Sequence, residues 1–111
     1  MEGYFGRTKA VKSLMDAGRV TDPSIQMRAA LPDADIKVSR WGLRYFPADW
    51  ERYQVVFDAK IMRGETKTRC RETSTQGPVG APTLNELLSD DGGLLQQELT
   101  KLAATCAAKA G

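Results

Sequence analysis

From Arg52 to Met62, apolar and polar residues alternate with a period of two. Tyr53, Val55, Phe57, Ala59 and Ile61 fall on one side. Gln54, Asp58 and Lys60 fall on the other, with Val56 the exception. Successive side chains of an extended strand point to opposite faces, so this pattern is a strand with one dry and one wet face. Such strands belong to antiparallel sheets covered on one side. The rest of the chain has to supply the partners and the cover.

The segment "MRGE" at 62–65 reads as a hairpin turn, with Arg63-Gly64 as a two-residue loop. That register sets Met62 opposite Glu65, Asp58 opposite Arg69 and Phe57 opposite Cys70. Asp58 and Arg69 then form an opposite-charge pair on the outer face, while Lys60 meets Lys67 at a small cost. Cys70 shares the face of Tyr53, Val55 and Phe57 and points into the core.

Upstream, Ile36 to Phe46 reads as a strand whose phase changes partway. Ile36 and Val38 point one way; Trp41, Leu43 and Tyr45 point the other. This implies a bulge near Ser39 and Arg40, or cover on both faces. "PADW" at 47–50 is the turn out. "IQMRAAL" at 25–31 also alternates and is expected to be a strand, between the turns "TDPS" and "PDAD". Residues 4–17 read as a helix with Phe5, Val11, Leu14 and Met15 as its stripe and Gly18 as its stop.

The loop "TSTQGPVGAPT" at 73–83 is expected to be a plain connection rather than a lid. Next comes "TLNE", a capping box with Thr83 at N-cap and Glu86 at N3. The helix it starts is interrupted by "DDGG" at 90–93, with Asp91 placed to cap the last helix. That helix is expected from about Leu94 to Lys109. Its stripe is Leu95, Leu99, Leu102 and Cys106, so Cys106 also faces the core. Two independent periodicities thus send the two cysteines to buried faces, and a Cys70–Cys106 disulfide is expected. Such a bond implies an oxidising compartment, periplasmic or extracellular; two buried thiols in a cytoplasmic protein are the alternative. The start, "MEGYFGRTKAVKSL", has no apolar h-region, so a secreted chain would have to be a trimmed or mature form.

At 111 residues, 41% of them hydrophobic, one domain over 1–111 with one modest core is expected. There is no histidine, which removes the commonest general base and metal ligand. Two cysteines without histidine cannot make a four-ligand zinc site, and histidine-dependent triads are excluded. No GxGxxG, P-loop or nucleophile elbow occurs. No cofactor, metal site or catalytic residue is therefore assigned.

The stretch "RWGLRYFPADWERYQVVF" at 40–57 interleaves aromatics with arginines, as base-stacking platforms do. Strand phase instead sends Trp41, Tyr45, Tyr53 and Phe57 toward cover and leaves Trp50 in a turn as the exposed aromatic. Charge is uneven along the chain. Residues 37–71 carry nine Lys or Arg against four Asp or Glu; residues 76–111 carry two against four. A basic outer sheet face suits an acidic protein partner or phosphates, although such charges also protect a sheet edge.

The expected fold is α+β: an antiparallel sheet of three or four strands with the N-terminal and C-terminal helices packed on one face. The expected function is that of a non-enzymatic extracytoplasmic binding or accessory domain acting through protein contacts. Arg63, Lys67, Arg69, Arg71 and Trp50 are the candidate contact residues. The alternative is a small cytoplasmic nucleic-acid-binding protein using the same arginines plus Trp50. No stretch is long and apolar enough to span a membrane.

Overall fold

A computed structural model of the chain describes residues 4–6 and 9–110. The elements are β1 (Tyr4–Gly6), α1 (Lys9–Asp16), α2 (Pro23–Ala30), β2 (Asp35–Phe46), β3 (Asp49–Arg63), β4 (Thr66–Thr73) and α3 (Leu84–Ala110). The fold is α+β, with an antiparallel sheet in the order β1-β2-β3-β4.

β3 is central, and its alternation is observed as read. Tyr53, Val55, Phe57, Ala59 and Ile61 are all buried. The phase change in β2 is absorbed by a register shift between Val38 and Arg40. Before it Ile36 lies opposite Ile61; after it Trp41, Leu43 and Tyr45 lie opposite Phe57, Val55 and Tyr53. One extra residue at Ser39 therefore keeps both halves of β2 facing the same core. The rings of Tyr45 and Tyr53 meet edge to face at 6.3 Å.

The capping box at the start of α3 is formed as read. Thr83 N donates to Glu86 Oε1 at 2.9 Å, and Glu86 N donates to Thr83 Oγ1 at 3.2 Å. Hydrogen bonding to the Glu86 carboxylate from the Thr83 backbone N–H and side chain, reinforced by the Arg52 charge, holds that carboxyl below its ordinary range. The "DDGG" break is also real. Ser89 to Gly92 leave helical geometry, and Asp90, Asp91 and Gly92 all have positive φ. Gly92 is buried, with φ +79°. A Cβ there would sit 2.9 Å from both Leu14 Cδ1 and Val20 Cγ2. Glycine is thus what lets the α1 end of the chain close onto α3. Beyond the break Leu95, Leu99, Leu102 and Cys106 are buried in one stripe.

Cys70 and Cys106 form a disulfide with Cα atoms 5.6 Å apart. It ties α3 to β4. α3 also contacts β3, α2 contacts α3 and β2, and α1 makes its inter-element contacts with α3.

Three readings need correction. Residues 4–6 are a strand, not the first turn of a helix; Tyr4 pairs with Arg44 and Gly6 with Leu43. Aromatic residues favour strands and Gly6 disfavours a helix, so an available strand edge decides the segment. Residues 25–31 are not a strand. Asp22 caps α2 by accepting from Ser24 N at 2.9 Å, and Pro23 opens the helix. Of the apparent alternation, Met27 and Leu31 are buried at helical spacing, while Ile25 and Ala29 are exposed.

The β3–β4 hairpin closes at Arg63↔Thr66, so the loop is Gly64-Glu65 rather than Arg63-Gly64. Glycine occupies the first loop position with φ +62°, as a type II′ turn requires. The partners move by two residues: Cys70 lies opposite Ala59, Asp58 opposite Arg71 and Lys60 opposite Arg69. A two-residue slip keeps every side chain on its face, so Cys70 still points inward.

Candidate functional site

The outer face of the sheet is built from the residues between the core positions. β2 contributes Lys37, Arg40 and Arg44; β3 contributes Gln54, Val56, Asp58 and Lys60; β4 contributes Lys67, Arg69 and Arg71. Among the described paired residues of this face, Asp35 and Asp58 are the carboxylates. Positive charge dominates it.

Asp58 is the centre of this surface. Its side chain is only 9% exposed, although it lies on the face opposite the core residues of β3. Arg69 and Arg71 cover it instead. Arg69 Nη2 donates to Asp58 Oδ2 at 3.3 Å, and Arg71 donates through Nη2 at 3.3 Å and Nε at 3.4 Å. Both arginine side chains remain more than half exposed. Burial pushes the Asp58 carboxyl up, but the hydrogen bonds and charges of the two arginines outweigh it and hold it below its ordinary range. Among the described residues, Asp58 Oδ1 is buried with no hydrogen-bond partner. Beside Asp58 lies a cavity of about 180 Å³ that Arg40, Arg44, Arg71 and Glu72 also line.

Gln54 is the second buried polar residue of this face, and both ends of its amide are bonded. Its Oε1 accepts from both Nε and Nη2 of Arg44, and its Nε2 donates to Thr75 O at 2.6 Å. That last bond pins the loop after β4. The loop is held again where Ser74 N donates to Val55 O, Val55 N to Ser74 Oγ and Tyr53 N to Pro82 O.

The candidate contact residues fall into three places. Lys67, Arg69 and Arg71 stand together on the outer face. Arg63 stands at the hairpin end of β3, where it donates to Ala110 O at 3.0 Å and to Asp33 Oδ2 at 3.2 Å. It anchors the end of α3. Trp50 is 70% exposed at the other end of β3, beside a separate cavity lined by Tyr53, Leu84 and Asn85. The structure does not bring Trp50 to the arginines around Asp58. Arg40 and Arg44 belong to this face but were not among the residues singled out from the sequence. Their signal is the bulge: once it is placed, the alternation of β2 puts both on the face of Asp58.

Among the described residues, no helix is long and apolar enough to cross a membrane. Compared with known proteins, the chain matches no family model, no curated protein and no solved structure.

Proposed function

We propose that this chain is a non-enzymatic binding or accessory domain of an oxidising compartment, and that it meets an acidic protein partner through the outer face of its sheet. The observation that carries this reading is the arginine cluster around Asp58. One buried carboxylate is shared by Arg69 and Arg71, and Lys37, Lys60 and Lys67 stand around it without a described ion pair. The resulting field attracts acidic surfaces and speeds encounter with them. The buried Cys70–Cys106 bond supports the compartment, because such bonds persist where thiols are not kept reduced. Separation of Trp50 from the arginines weighs against a base-stacking platform.

The lysines are the positions to test, since reversing Arg69 or Arg71 would also strip Asp58 of its partners. A photo-crosslinking residue at Lys60 or Lys67, in protein expressed in its native cells, is expected to capture a discrete protein. The same residue at Lys101 on α3 is expected to capture none. Adducts that disappear on nuclease treatment, or equal capture from both sides, would overturn the reading.

A further inference from the structure

β4 is an edge strand of the sheet, and its hydrogen-bonding phase can be read. Ser74 N donates to Val55 O, in line with the β3–β4 register. The hairpin closes on a two-residue loop at Arg63↔Thr66, which makes that pair a hydrogen-bonded one as well. The bonded positions of β4 are therefore Thr66, Thr68, Cys70 and Glu72. The alternate residues Lys67, Arg69 and Arg71 turn their backbone N–H and C=O away from β3, to the free edge. β4 makes its described inter-element contacts with β3 and α3. Lys67, Arg69 and Arg71 are all exposed.

The same three residues thus carry both the unpaired backbone groups and the positive side chains. A strand laid along this edge would place every second side chain directly opposite them on the outer face. We propose that β4 accepts an extended segment of another protein as an added strand, one that carries Asp or Glu at alternate positions. This rests on the reading of the basic face as a protein-contact surface and specifies the partner's form. A second copy of this chain fits poorly. Symmetric antiparallel pairing would set Arg69 against Arg69 and Lys67 against Arg71, like charges in direct opposition.

The test uses two fluorescent peptides of identical composition, one with glutamate at every second position and one with its glutamates in a single block. The alternating peptide is expected to bind roughly tenfold tighter, from its cross-strand charge pairs. Its binding is expected to slow hydrogen exchange at the amides of Lys67, Arg69 and Arg71. Arg69→Thr removes a charge but keeps the N–H and leaves Arg71 on Asp58. Arg69→Pro removes the outward N–H as well, at a position where an edge strand tolerates proline. The proline variant is expected to bind more weakly than the threonine variant, with circular dichroism confirming that both are folded. Equal binding of the two peptides, together with equal loss in the two variants, would overturn strand addition and leave the basic-face reading standing. Binding of neither peptide would overturn both. Self-association abolished by Arg69→Pro would give the edge to a second copy and overturn the proposal.

Discussion

Phe57 and Asp58 are neighbours on β3, and both are almost wholly buried, at 1% and 6% exposure. The causes are opposite. Phe57 faces the helices, inside a cluster with Trp41, Val55, Leu99 and the cysteines. Transfer of apolar surface out of water drives its burial. Asp58 points to the opposite face of the strand, and arginines from the neighbouring strand bury it. The first face is closed by packing and by a covalent bond. The second is closed only by long charged side chains that another molecule can rearrange. A single strand therefore carries the fold on one side and the candidate contact surface on the other.

Substitutions on the two faces should separate accordingly. Phe57→Ala should have the largest effect, a loss of about 3–5 kcal/mol in urea unfolding, because it leaves a cavity in a closed core. A loss within the range of an ordinary surface substitution would mean that the helices do not seal this face. Asp58→Asn should cost less, about 1–2 kcal/mol, since the two arginines it releases are already half in water. Its pH dependence sharpens the contrast. The folded-state pKa of Asp58 is depressed, so its contribution is complete above the unfolded value of about 3.9 and is lost as pH falls through the lower folded value. The stability curves of wild type and Asp58→Asn should therefore converge below about pH 4. A gap that persists unchanged to about pH 2 would show that Asp58 is not held by its arginines.

The inner face was legible in the sequence because its signals are local and periodic. The alternation of β3, the stripe of α3 and the Thr83–Glu86 capping box each lie within a few residues. They placed both cysteines correctly. The bulge at Ser39 was legible as a phase error. The outer face was harder to read. A one-residue shift of the Gly64 turn moves every partner by two, so the sequence reading set Asp58 opposite Arg69 and hid its pairing with Arg71. Arg40 and Arg44 join the face only once the bulge is resolved. β1 forms against β2, far along the chain, so no local pattern announces it. The segment 25–31 alternates by chance; the Asp22-Pro23 helix start was the stronger signal.

The Cys70–Cys106 bond ties α3 to the core side of the sheet, and the proposed oxidising compartment rests on it. In the chain-entropy picture, a bond across 36 residues adds about 3–4 kcal/mol to a domain this small. Its direct test is the intact mass of protein isolated from its native source without reductant and alkylated in denaturant, with and without prior reduction. No added label is expected until reduction, and then two labels per chain, one each at Cys70 and Cys106. Labelling of both cysteines on unfolding alone would contradict this expectation, removing the bond and the compartment it supports.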